Sequence, residues 1–352
     1  MSAATAMLLC GSFLAGSTAP ATPDRPAVDL LRRLPGVWDA TLQMASLDDS
    51  PPLIMNGMET VTGDGTWLVS DFRSQLDGRP FQGHGILARD PQSGRYRRVW
   101  ADSTSPAFWS SEGTCDETTG TLTMWIEAAD SEGRPVRWRE VTTWKDDDTR
   151  TFTMYVPGPE TTEAAGMTIA YRRRKQPGGD RPVGGTTASP AAASPAPDAE
   201  HALVARGAGA WKATVDNRMD PGRPAESSQA TEINVLCCGG LFLLTDFAGE
   251  ERGRPFRGHG VLGYNPQKKK FISAWIDSGD RRLSLSEGDY DAAREALTFR
   301  LHLPDGKGGT VALREVLEWK GADQRVMTMY APGPDGRETP GLTIKYRRLK
   351  GP

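Results

Sequence analysis

Cysteine and histidine are scarce in this chain, with four of each in 352 residues. Cys10 lies in the first stretch, Cys115 is replaced by Tyr290 at the equivalent repeat position described below, and Cys237 and Cys238 are adjacent. That pattern excludes a shared disulfide framework. No H-x-x-x-H or C-x-x-C spacing occurs, so no recognised metal motif is expected. Basic charge is also lacking. A formal net charge of −3, with Lys and Arg scattered, removes the electrostatic case for nucleic acid or an acidic membrane surface. After the first residues no apolar run approaches the roughly 18 residues of a membrane span, and no amphipathic helix of useful length is written into the pattern.

What the chain does contain, it contains twice. Arg79-Pro-Phe-Gln-Gly-His84-Gly, Trp100-Ala-Asp-Ser and Ser111-Glu-Gly return as Arg254-Pro-Phe-Arg-Gly-His259-Gly, Trp275-Ile-Asp-Ser and Ser286-Glu-Gly, each 175 residues later. A period that long is a duplicated domain, because a solenoid unit runs to about 20–50 residues. The expected organisation is a leader at 1–27, a first copy at 28–175, a Pro/Ala/Gly-rich linker at 176–201 and a second copy at 202–350. The leader is read as a secretory signal: Ala3 to Gly16 is apolar and the next residues are small, although no Lys or Arg precedes them. Export to the periplasm or beyond is therefore expected, with the cytoplasm as the alternative if the stretch is not a signal.

Within each copy the hydrophobic period is two. Val136 to Trp144 and Met167 to Arg173 alternate, and loops such as Asp90-Pro-Gln-Ser-Gly and Lys145-Asp-Asp-Asp-Thr separate such runs. Eight to ten short strands joined by tight turns form a meander, and a meander loses its exposed edges most simply by closing. The expected fold is all-β, two tandem antiparallel barrels. Alternation puts Trp138, Glu140, Thr142 and Trp144 on one inward face, matched by Leu313, Glu315, Leu317 and Trp319. Trp100 and Asp102, or Trp275 and Asp277, are placed inward too, and Glu112 and Glu287 are read as inward with Phe108 and Leu283. Met167, Ile169, Tyr171 and Arg173 share a face of the last strand.

Each copy opens on Gly-x-Trp, at Gly36 to Trp38 and Gly209 to Trp211. With an Arg on the last strand, Arg173 or Arg348, this resembles the closed end of lipocalin and other calycin barrels, where the Arg packs over the Trp. The wider pattern of Pro-Phe-x-Gly-His-Gly, Trp-x-Asp-Ser, Ser-Glu-Gly, Met-Tyr and Thr-Ile-x-Tyr-Arg resembles the bacterial family called domain of unknown function 1579. The resemblance covers nearly all of both copies and implies lipocalin-like barrels, with no chemistry attached.

Three readings of the interior follow. In the first, one or both barrels bind a small apolar or amphipathic molecule, with Trp100, Asp102, Glu112, Glu140 and Tyr171 lining the first and Trp275, Asp277, Glu287, Glu315 and Tyr346 the second. A packed scaffold, its acids held by Arg173, backbone or water, is the bland form of the same arrangement. In the second, a carboxylate raised in pKa by apolar surroundings, Glu140 foremost, acts as a general acid or base. No nucleophile motif accompanies it, since Ser111-Glu-Gly is not a Gly-x-Ser-x-Gly elbow and Ser110 becomes Leu285. In the third, His84 and His259 hold haem or a metal; the face they share with Gln82 and Ile86 reads as solvent and the glycines around them as a tight bend or bulge. No catalytic residue, metal or cofactor is assigned, and no protein partner can be named. The copies differ at Trp109/Ser284 and Trp125/Arg300, so their interiors are expected to differ. If the copies are complete domains, fragments 28–175 and 202–350 should each unfold cooperatively in chemical denaturation, with midpoints close to those in the full chain; a non-cooperative fragment would show that they share a core.

Overall fold

The computed structural model describes residues 30–45, 51–76, 78–116, 118–129, 134–157, 162–175, 195–219, 224–304, 309–333 and 335–350. The expected leader at 1–27, Cys10 and most of the linker lie outside these residues. Among them the chain forms two closed antiparallel barrels of ten strands, in two compact units divided between residues 195 and 196. No described helix is long and apolar enough to cross a membrane.

The first barrel runs through β1 (Gly36–Met44), β2 (Leu53–Gly63), β3 (Trp67–Leu76), β4 (Arg79–Arg89), β5 (Tyr96–Asp102), β6 (Ser105–Asp116), β7 (Thr121–Ala129), β8 (Pro135–Trp144), β9 (Thr149–Pro157) and β10 (Glu163–Arg173). Every strand pairs with its neighbour in sequence, and β1 pairs with β10 to close the sheet, with Trp38 opposite Arg173. The second barrel repeats this with β11 (Gly209–Asn217), β12 (Glu226–Cys237), β13 (Phe242–Glu251), β14 (Arg254–Asn265), β15 (Lys270–Asp277), β16 (Ser284–Asp291), β17 (Ala296–Pro304), β18 (Thr310–Trp319), β19 (Gln324–Pro332) and β20 (Glu338–Arg348), where Trp211 lies opposite Arg348.

A short helix precedes each first strand, α1 (Leu30–Arg33) and α2 (Ala199–Ala205). Asp198 and His201 cap α2 reciprocally, so a helix starts inside the stretch expected as linker. The carbonyls at the end of each helix have no intrahelical donor, and the closing Trp and Arg supply one. Trp38 Nε1 donates to Leu34 O at 3.0 Å, and Arg173 donates to Pro35 O and Arg33 O, each at 2.6 Å. Trp211 donates to Gly207 O at 2.9 Å, and Arg348 to Arg206 O at 2.8 Å and to Ala208 O. The guanidinium carbon of Arg173 or Arg348 stands 4.1 Å from the indole centroid. Gly36 has a φ of +143°, and a Cβ there would come within 2.4 Å of Arg173 Nη1. The glycine of Gly-x-Trp is thus required both by the backbone and by the guanidinium beside it.

Trp38 is fully buried, and its truncation should cost about 3–5 kcal/mol. Because Arg173 lies on its ring, denaturation of Trp38→Ala, Arg173→Ala and the double variant should give a coupling of about 0.5–3 kcal/mol. Additive losses would mean that the two side chains do not support each other.

Candidate functional site

The Gly-His-Gly and Trp-x-Asp-Ser motifs are two sides of one contact. Strands β4 and β5 pair with Gly83 opposite Asp102 and Gly85 opposite Trp100, with no register shift, so the expected bulge is absent. The glycines make a seat for the indole instead: a Cβ at Gly83 would lie 2.2 Å from Trp100 Cζ2, and one at Gly258 equally close to Trp275 Cζ2. Asp102 accepts from Trp100 Nε1 at 3.1 Å and from Thr104 N at 2.8 Å, while Asp277 accepts from Trp275 Nε1 at 2.9 Å and Gly279 N at 2.8 Å. These aspartates hold the indole and the following turn.

His84, between the two glycines, projects from the other face of β4. The solvent expected there is not found: His84 is 2% exposed, with Nδ1 2.9 Å from Asp71 across the β3–β4 pair, and His259 repeats this with Asp246 at 2.7 Å. A cross-strand carboxylate partners the buried ring nitrogen in each copy. Among the described residues no group of three or more His, Cys, Asp or Glu side chains is placed to hold a metal ion.

Glu112 and Glu287 are also misplaced by alternation. Glu112 lies outside, taking hydrogen bonds from Arg95 and Arg97, and Glu287 lies 2.6 Å from Lys268 Nζ. Strand β6 carries aromatics on both faces, and Trp109, opposite Trp100, is the one that points inward. In the second copy the pattern is inverted. Leu285 is 40% exposed while Ser284 and Ser286 face the interior.

The interior acids of the first barrel are paired. Glu59 binds Arg150 and Glu140 binds Arg98, with both glutamates below one-tenth exposed. Arg150 lies 4.6 Å from the Trp38 ring and 3.9 Å from that of Tyr171, so the closed end stacks two cations and two aromatics over a carboxylate. Burial pushes the Tyr171 hydroxyl well above its ordinary pKa. At the other end of the interior Trp109 stacks on Trp138 with centroids 5.1 Å apart. Trp100 packs with Phe72 against the apolar cluster that holds Trp38, Leu68, Met124 and Tyr171.

The second barrel keeps the closed end and empties the middle. Glu232 binds Arg325, which lies 4.4 Å from Trp211 and 4.5 Å from Tyr346. At the position of Arg98 stands Ser273, at Trp109 Ser284 and at Trp138 Leu313. Among the described residues, buried apolar side chains gather in one cluster around Phe299 and Leu313 and in another around Phe247 and Tyr346. Between them lies a cavity of about 290 Å³, lined among others by Trp275, Asp277, Glu315 and Tyr346. These four are the sequence candidates brought together; Glu287 is not.

Glu315 lines this cavity, and among the described residues no hydrogen bond or ion pair reaches its carboxylate. Burial, then the nearby Glu232 charge, raise its pKa from 4.5 to about 7. Burial and Glu232 likewise hold the Tyr346 hydroxyl well above its usual value. The residues that sequence reasoning missed are Glu59, Arg98, Arg150 and the equivalents Glu232, Ser273 and Arg325. Arg98 was within reach, because it alternates with Tyr96, Trp100 and Asp102 on an inward face.

The chain matches the family described as Protein of unknown function (DUF1579) twice, at residues 25–173 and 196–348. No curated protein matches it. Solved structures similar to it include the S-type phycobiliprotein lyase CPES from Guillardia theta, at 13% identity and a TM-score of 0.32 over 43% of this chain and 95% of that one. Rv2717c from M. tuberculosis is 15% identical, with a TM-score of 0.33 over 43% and 98%. A de novo designed fluorescence-activating β-barrel is 19% identical, with a TM-score of 0.23 over 42% and 99%.

The two equivalent glutamates should respond oppositely to the same change. Glu315 binds its proton up to about pH 7 when folded, against 4.5 for the ordinary group. Between those values the folded state carries the extra proton. Stability is therefore highest below the lower value, falls as pH rises through 7 by about 3 kcal/mol, and is level above. Glu315→Gln should abolish that fall and be more stable than the parent at pH 8. Glu140→Gln strands the Arg98 guanidinium and should lose about 3 kcal/mol. Urea unfolding at pH 5 and pH 8 reads both, and equal effects at the two sites would contradict this assignment.

Proposed function

The chain belongs to the DUF1579 family, and we propose that this member binds one small molecule with an apolar body inside its second barrel, while its first barrel is a packed scaffold. The observation that carries the reading is the cavity between the two apolar clusters of the second barrel, opened where Arg98 and Trp109 of the first barrel give way to Ser273 and Ser284. A largely apolar space with a few convergent polar groups is the usual form of a ligand site, and a barrel of this size has room for one small ligand. Phe247, Phe256, Met327 and Leu342 supply apolar wall, and Ser273, Ser284 and Glu315 supply polar points. In the first barrel the equivalent acid, Glu140, is paired through one oxygen with Arg98.

Export is part of the proposal. It rests on the apolar stretch from Ala3 to Gly16 and the small residues that follow. A second reading is supported by Glu315 alone: a carboxylate that titrates near neutrality suits general acid or base work, though no second catalytic group stands beside it in hydrogen-bond contact.

Ser284→Trp restores the side chain of the first copy and should fill the cavity without unfolding the barrel. Titration of the full chain with the neutral fluorophore N-phenyl-1-naphthylamine should show one site in the parent and none in Ser284→Trp, with melting temperatures alike or higher in the variant. No uptake by the parent, or undiminished uptake by a folded Ser284→Trp, would overturn the proposal.

A further inference from the structure

Duplication provides an internal control for what the cavity lacks. Glu140 on β8 and Glu315 on β18 hold the same register, opposite Met154 and Met329 on the next strand. In the first barrel the carboxylate is met by the Arg98 guanidinium, whose central carbon lies 5.2 Å from the Phe152 ring centroid. In the second, Ser273 is too short to reach, and Met327 stands where Phe152 stood. Among the described residues no other cation pairs with Glu315. Arg325, the cation at the closed end, is bound to Glu232. Glu232 and Tyr346 are the groups that act electrostatically with Glu315 across the interior, and neither brings positive charge.

We propose that the ligand of the second barrel carries an ammonium or guanidinium group that pairs with Glu315, taking the place that the Arg98 guanidinium holds beside Glu140. This rests on the binding reading above and names the class of molecule bound. A buried carboxylate is costly without a partner, and a bound cation both supplies the partner and leaves Glu315 ionised. The rest of the lining has the same preference. Glu226, Glu250, Glu251, Asp277 and Asp280 line the cavity, with Arg252 paired to Glu226, against Arg282 and Arg325 as the basic lining residues, the latter bound to Glu232. Such an acidic lining raises the local concentration of a cation and repels an anion. The apolar walls around Leu303, Met327 and Leu342 then take the hydrocarbon part. The substrate class is an amphipathic amine.

Three probes of one chain length test this: n-octylamine, octan-1-ol and octanoate, titrated calorimetrically into the full chain at pH 8. Octylamine should bind at least tenfold more tightly than octan-1-ol, and octanoate most weakly. Glu315→Gln should bring octylamine to the level of octan-1-ol while leaving the alcohol unchanged. Ser273→Arg, which rebuilds the pair of the first barrel, should abolish the amine preference and raise the melting temperature, so the result does not depend on one variant. Equal binding of amine and alcohol by the parent, or an amine preference that survives both variants, would overturn the cation assignment while the cavity reading stands. Absence of binding by all three, with no uptake of the neutral fluorophore, would remove both.

Discussion

A carboxylate taken out of water is stable only beside a positive charge or with a proton on it, and the interior of each barrel is organised by that requirement. Glu59 and Glu232 meet it in the same way at the closed ends, through Arg150 and Arg325. Those arginines in turn lie on the rings of Trp38 and Tyr171, or Trp211 and Tyr346. On the other side of each Trp, Arg173 or Arg348 ties the last strand to the carbonyls at the end of the preceding helix. Strand closure, helix placement and the charge of the interior are therefore one arrangement. Removing any member leaves a buried ion or an open end.

The second pair of glutamates shows how the duplicated units diverged. Glu140 is paired with Arg98, and Trp109 stacks on Trp138 in the same interior. At the matching positions the second barrel has serine, serine and leucine. Serine at 273 and at 284 goes with the open cavity, and serine at 273 also leaves Glu315 without the cation that Glu140 has. Two copies of one barrel can thus differ in how full their interiors are through few substitutions, with the closed end kept.

Much of this was legible in the chain. The offset between His84 and His259 showed the duplication, alternation around Trp144 showed strands, and Gly-x-Trp with the terminal Arg pointed to the closed end. Inward faces were read well where one side of a strand is plainly apolar, as for Glu140. The reading failed where that contrast is missing: Phe108 and Trp109 compete on β6, and in β16 the inward residues are serines because they face a cavity. His84 reads as solvent-facing from the sequence because its partner Asp71 lies one strand away, where no local pattern reveals it. The glycines beside it read as a bend or bulge because the indole they seat is on the next strand. Arg98 carried the strongest unread signal. A cation on an inward face in one copy, and a serine in the other, states where the two interiors differ.

The central claim is that Glu315 lacks a cation which Glu140 has. Infrared spectroscopy of the full chain across pH 5 to 8 tests it directly, because a protonated carboxylic acid has a carbonyl stretch distinct from that of a carboxylate. An acid band should persist to pH 6, disappear with a midpoint near 7, and be missing from Glu315→Gln but retained in Glu140→Gln. A spectrum without such a band at pH 6, or one whose band is removed by Glu140→Gln instead, would contradict it.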